Sequence, residues 1–130
     1  MNRFMGNLAV ADPWPYYGYM TRSDITSGPR REVCVFMDIH EDHLDFCDYS
    51  LGIGGTVGSF ETLPASRHNG KGVLSYADGS AEIHRWQDSQ TLQPVTGVQA
   101  YPVDVARNSP DFQYLWQRFT KALDPSFKDE

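Results

Sequence analysis

Cysteine is scarce in this chain. Its 130 residues hold two, Cys34 and Cys47, too few for an all-cysteine zinc site and not spaced as a C-x-x-C redox pair. Two readings stay open for them: one disulfide in an oxidising compartment, or two reduced thiols. Long apolar runs are missing as well. The most apolar stretch, Val33-Cys34-Val35-Phe36-Met37, is bounded by Glu32 and Asp38, whereas a bilayer-crossing helix needs roughly 20 apolar residues. The start, MNRFMGNLAV, has no basic cluster ahead of an apolar segment, so it does not read as a secretory signal and the chain as written reads as soluble. Basic charge is short too. Eleven Lys and Arg against 17 Asp and Glu leave a net charge of −6, and no basic run offers a footprint for a phosphate backbone, which argues against nucleic acid as a partner. There is no P-loop and no dinucleotide-binding glycine pattern, because Gly52, Gly54 and Gly55 have the wrong spacing and no helix behind them.

Aromatic and turn-forming residues are plentiful. Apolar residues make up 40% and aromatics 13% of the chain, which suits a packed domain rather than a disordered tail. Eleven Gly and eight Pro, scattered throughout, point to short strands and many turns rather than a helical bundle. The expected class is α+β: an antiparallel sheet with an irregular N-terminal arm and a C-terminal helix. The arm is residues 1–31, where Pro13, Pro15, Gly18, Gly28 and Pro29 interrupt any period and Trp14, Tyr16, Tyr17 and Tyr19 supply aromatic contacts. Residues 32–123 read as a single head domain, and 124–130 as a tail. Within the head, 32–38 and 46–51 have strand composition, and the glycines from 52 to 58 read as the start of a loop.

The clearest local signal is GVLSYADGSAEIHRW, residues 72–86. Asp78-Gly79 is a preferred pair for a two-residue hairpin turn with positive φ at both central positions. Such a turn pairs Ala77 with Ser80, Leu74 with Ile83 and Val73 with His84. One face would then carry Leu74, Tyr76, Ala81 and Ile83, and the other Val73, Ser75, Glu82 and His84. Residues 88–108 read as a loop with a short edge strand. In NSPDFQYLWQRFTKAL, Ser109 suits an N-cap, Pro110 the first helical position and Asp111 the positive helix end. Phe112, Leu115, Trp116, Phe119 and Leu123 form one apolar stripe, and Asp124-Pro125 ends it.

Chemistry concentrates in Asp38-Ile39-His40-Glu41-Asp42-His43-Leu44-Asp45. In extended chain Asp38, His40 and Asp42 would point the same way, and carboxylates with imidazoles suit Zn²⁺ or another divalent ion. The stretch resembles the H-x-H-x-D-H motif of the metallo-β-lactamase superfamily, with Asp38 standing where the first His belongs. Asp42, Asp45 and Asp48 offer hard oxygen ligands that suit Ca²⁺. The alternative is a polar turn with solvated charges, and no cofactor is required. His68 with Asp78 would need a nucleophile to do acyl transfer, but Ser66, Ser75 and Ser80 lie in no nucleophile-elbow context. If 32–38 and 46–51 pair around the 38–43 turn, the register joining Asp38 to His43 sets Cys34 opposite Cys47, close enough to bridge.

The segment RHNGKGVLSYADGSAEIHRW places nine residues between His68 and Asp78-Gly79. It resembles the H-X9-DG signature of prepilin-like proteins related to type II secretion pseudopilins. VFMDIHEDHLDF is similar to that family's strand followed by D-E-H-P-D-S: Asp38, His40 and Asp42 fit, while Ile39, Glu41 and His43 depart. LPASRHNGKG resembles the run into the signature His, and NSPDFQYLWQRF the closing N-x-D-L-x-x-L helix, so the likeness spans about residues 33–119. The resemblance implies a pilin-like head, no catalytic residues, a place in the cell envelope or at its extracellular face, and other pilin-like subunits or further copies as partners. Family members begin with a basic leader, a cleavage site and a long apolar helix, none of which is present here. The chain therefore reads as a C-terminal fragment, a mis-called start or a free-standing relative. Without that helix, the sheet face with Leu74, Tyr76 and Ile83 needs cover from the C-terminal helix, the aromatic arm or a second copy. Three readings follow: a structural head of a secretion or surface filament, a small metal-dependent hydrolase built on Asp38, His40, Asp42 and His43, or a metal-binding protein whose ion only rigidifies the 38–48 loop.

Overall fold

The computed structural model describes residues 21–27, 33–44, 49, 51–54, 57–99 and 102–119. The expected α+β class is what folds. In chain order come helix α1 (Arg22–Ser27), β1 (Cys34–Met37), a 3₁₀ turn (Glu41–His43), β2 (Leu51–Gly54), β3 (Val57–Phe60), α2 (Arg67–Gly70), β4 (Lys71–Tyr76), β5 (Ala81–Arg85), β6 (Val103–Ala106) and α3 (Pro110–Phe119). The strands make two three-stranded antiparallel sheets, ordered β1-β4-β5 and β2-β3-β6.

Helix α1 lies where the composition predicts irregular chain. A reciprocal cap starts it: Thr21 N donates to Asp24 Oδ2 at 2.6 Å and Asp24 N to Thr21 Oγ1 at 3.3 Å. Residues 1–20, and with them the aromatic stretch at 14–19, lie outside the described residues.

The predicted hairpin between 32–38 and 46–51 is not seen among the described residues. Strand β1 pairs with β4 instead, Cys34 opposite Tyr76 and Met37 opposite Leu74, with an irregularity between Cys34 and Phe36. Cys47 and Asp45 lie outside the described residues, and Cys34 is a buried thiol whose Sγ donates to the Phe36 carbonyl at 3.4 Å. Burial pushes that thiol up to about 12, which keeps it protonated and unreactive. Of the strand expected at 46–51, Leu51 lies in β2, which runs on into glycines that composition assigns to a loop. Packing explains it. At Gly58 a Cβ would lie 2.6 Å from the Phe112 ring, so the missing side chain is what lets α3 approach β3.

The 72–86 hairpin forms with a register one residue away from the predicted one. Val73 faces Ile83, Leu74 faces Glu82 and Gly72 faces His84. Ala77 gives its N–H to Val33 O on the β1 side, so it cannot join a two-residue turn. The chain closes a three-residue loop instead, with Gly79 N on Tyr76 O and Tyr76 N on Ser80 O. Gly79 alone takes positive φ, at 88°, and Asp78 Oδ1 accepts from Ser80 N at 2.8 Å. A one-residue slip moves side chains to the other face. Leu74 is fully buried while Ile83, expected beside it, is 64% exposed on the opposite face.

Helix α3 begins as predicted. Ser109 caps it, with Phe112 N on Ser109 Oγ at 3.4 Å, and Phe112, Leu115, Trp116 and Phe119 are buried. Leu123 and the expected stop at Asp124-Pro125 lie outside the described residues. The α3 stripe joins Met37 and Leu74 of one sheet to Leu51, Phe60 and Val105 of the other in one core. Phe112 stands at its centre, 5.9 Å from Phe60 and 6.0 Å from Trp116 between ring centroids. The face with Leu74 is thus covered on the core side, with α3 in the same cluster.

Candidate functional site

The acidic stretch is built by backbone before side chains matter. Asp38 N donates to Val73 O, Ala65 N to Asp38 O and His40 N to Leu63 O, so residues 38–40 continue β1 between two neighbouring segments. His40 then caps the 3₁₀ turn: its Nδ1 accepts from Asp42 N at 3.2 Å. That bond leaves the ring proton on Nε2, which donates to Gln93 O at 3.0 Å. The imidazole is almost wholly buried, at 2% exposure, with both nitrogens engaged.

Asp42 turns its carboxylate toward the distant 93–98 segment. Oδ2 accepts from Thr96 N at 2.7 Å and Thr96 Oγ1 at 2.8 Å, and Oδ1 from Gly97 N at 2.9 Å. These bonds, the Thr96 backbone N–H first, hold its pKa below the ordinary value of 3.8. Gly97 sits at φ 75°, a left-handed position that aims its N–H inward. Asp38 goes elsewhere. Its carboxylate lies 3.9 Å from Arg67 NH1, while Arg67 Nε donates to Glu41 at 2.9 Å and NH2 to Ile39 O at 3.0 Å. The expected convergence of Asp38, His40, Asp42 and His43 is therefore not formed. Asp38 turns to Arg67 while His40 and Asp42 turn to the 93–97 segment, and among the described residues no three His, Cys, Asp or Glu are grouped to hold a metal ion. His43 is buried and its ring meets that of His40 edge-on at 5.9 Å.

The signature His68 and Asp78 stand at opposite ends of β4, so they form no catalytic pair. His68 is exposed on a left-handed turn: His68 has φ 56° and ψ 46°, Asn69 φ 62° and ψ 56°, and Gly70 φ 75°. Each non-glycine residue so placed costs about 1–2 kcal/mol. Gly70 N on Ser66 O, Lys71 N on Arg67 O and the Arg67 bridge to the acidic stretch hold the turn closed. The turn delivers the chain to Gly72, where a Cβ would meet Ala65 O at 2.8 Å and the Trp86 ring at 2.9 Å. Trp86 Nε1 donates to that same Ala65 carbonyl at 2.8 Å.

Two polar clusters escape sequence reasoning. Asp111, expected only to complement the helix end, is fully buried and accepts from Gln87 N at 3.1 and 3.0 Å and from Asp88 N at 2.9 Å. It ties the start of α3 to the chain leaving β5. Against the inner face of β4 and β5, the Tyr114 ring is held between His84, stacked at 3.6 Å, and the Arg118 guanidinium, also 3.6 Å from its centre. Tyr76 OH donates to Glu82 at 2.5 Å and accepts from Arg118 Nε at 3.2 Å. Burial lowers the His84 pKa below 6.5, and its Nε2 has no hydrogen-bond partner among the described residues. The helical spacing of Tyr114 and Arg118, four apart, is the one signal in the sequence that could have paired them.

No family model, curated protein or solved structure matches the chain. Among the described residues, no helix is long and apolar enough to cross a membrane.

Proposed function

We propose that the chain is a non-enzymatic structural head of a pilin-like subunit, of the type II secretion pseudopilin kind, working at the cell envelope in a surface or secretion filament. The observation that carries the reading is the use made of the acidic stretch. Asp42 and His40 spend their polar atoms on Thr96, Gly97 and Gln93, and Asp111 spends its own on Gln87 and Asp88. Side chains with the chemistry to hold a metal or move a proton instead pin the long 87–98 connection at both its ends. That is what a head exposed to shear or subunit contact needs: loops held by charge-assisted bonds to a small core. The ordered likeness of residues 33–119 to the H-X9-DG proteins supplies the family.

The test reads the DNA immediately upstream of the Met1 codon. An in-frame basic leader followed by about 20 apolar residues is the expected result, and an in-frame stop there would remove the filament role. A metal assay separates the other class. Purified protein should keep its unfolding midpoint after chelation, and stoichiometric Zn²⁺ retained through purification would favour a hydrolase instead.

A further inference from the structure

Among the described residues, strand β5 is an edge of its sheet, since the order is β1-β4-β5. Its ladder to β4 begins with Tyr76 N on Ser80 O and ends with Trp86 N on Gly70 O. In an antiparallel ladder, residues alternate between exchanging bonds with the neighbour and turning their backbone groups away. Glu82 and His84 therefore bond to β4, while the N–H and C=O of Ala81, Ile83 and Arg85 face outward. All three residues are exposed. The usual protections of an edge are a bulge, a proline, brevity or charged side chains, and of these β5 carries only charge, at Glu82 and Arg85. Strand β1, at the opposite edge, carries a register irregularity between Cys34 and Phe36. Strand β5 has five residues in unbroken register and no proline.

We propose that two copies of this chain pair along β5, antiparallel, about a two-fold axis at Ile83. The sequence AEIHR is self-complementary in that register. Ile83 meets Ile83 of the second copy, and Ala81 meets Arg85 in each direction, which pairs all the outward backbone groups of 81, 83 and 85. Glu82 comes beside the second copy's His84 in the closely spaced, non-bonded type of pair, so the register sets no like charges side by side. On the outer face, Val73 already lies beside Ile83. Pairing joins Val73, Ile83 and their counterparts into one aliphatic strip across a six-stranded sheet, withdrawing part of an isoleucine that is 64% exposed alone. Lys71 and Arg85 stand directly opposed in the hairpin, and the register adds no further cation beside them. This inference goes beyond the filament reading and stands on ladder geometry whatever the chain does.

Sedimentation equilibrium across a concentration series, with three variants, tests it. The chain should show a monomer–dimer equilibrium, and a monomer at every concentration overturns the proposal. Ala81→Glu sets a carboxylate against Arg85 of the second copy twice over and should tighten association roughly 2- to 30-fold, while Ala81→Arg should weaken it by a similar factor. Ile83→Lys places two ammonium groups at the axis and should abolish it. Both positions are exposed, so urea unfolding of the variant monomers should match the parent. Association unchanged in all three variants would place the contact on another surface and overturn the pairing. Amide exchange gives a second readout that needs no variant: Ala81, Ile83 and Arg85 should gain protection with concentration, while Glu82 and His84 are protected throughout.

Discussion

Individual acids do more in this protein than their place in a polar stretch suggests. Asp111 is fully buried and is the acceptor for two backbone N–H groups that leave β5. Asp111→Ala would orphan both, and leaving buried donors unpaired costs about 1–3 kcal/mol. Urea unfolding should register that loss, with Asp111→Asn falling between the two. Two other groups contribute to the pH dependence of stability. His84 titrates below its ordinary 6.5 because burial disfavours the imidazolium. The unfolded chain thus binds a proton that the folded one refuses, and this contribution, full above pH 6.5, is lost as pH falls through the folded value. Asp42 titrates below its ordinary 3.8 because Thr96 and Gly97 bond its charged form. Its contribution is complete above pH 3.8 and disappears as pH drops further. Unfolding midpoints measured from pH 7 to pH 3 should therefore decline in two stages. Asp42→Asn should lower the midpoint at pH 7 and reduce the second stage only, the remainder coming from Glu41 beside Arg67 and Asp78 beside Ser80, which are also held below their ordinary values.

At the scale of elements, glycine and the turns decide how closely pieces approach. Gly58 on β3 leaves room for the Phe112 ring, and Gly58→Ala would force a methyl within 2.6 Å of it. Overpacking of that kind costs about 1–3 kcal/mol, and thermal unfolding of the variant should show it. Element types were largely legible in the sequence. Ser109, Pro110 and the stripe from Phe112 to Phe119 carry enough local information to place α3. Strand β1 is evident in its β-branched and aromatic composition, and the β4–β5 hairpin from Asp78-Gly79. Registers were not legible. The hairpin shifted by one residue because Ala77 gives its N–H to Val33, a partner 44 positions away along the chain. Strands β2 and β3 were hidden for the same kind of reason, since Gly52 and Gly58 look like loop until something packs against them.

Over the whole molecule, one aromatic cluster joins two small sheets that neither could stabilise alone. Phe112 touches both Phe60 and Trp116 within it. Phe112→Ala should cost about 3–5 kcal/mol, a large share of a total near 5–15 kcal/mol. Because the core is shared, both sheets should melt together, so far-UV circular dichroism and tryptophan fluorescence should give coincident transitions. The sequence by itself determined the class, the C-terminal helix, the hairpin and the acidic stretch, because capping, turn preference and apolar period act over a few residues. Tertiary structure alone decided which strands pair, which face Ile83 takes and what Asp42 holds. Asp42 finds its partners at Thr96 and Gly97, 54 and 55 positions downstream. Bonds over such separations depend on how the chain closes on itself, and no local pattern of residues encodes that closure.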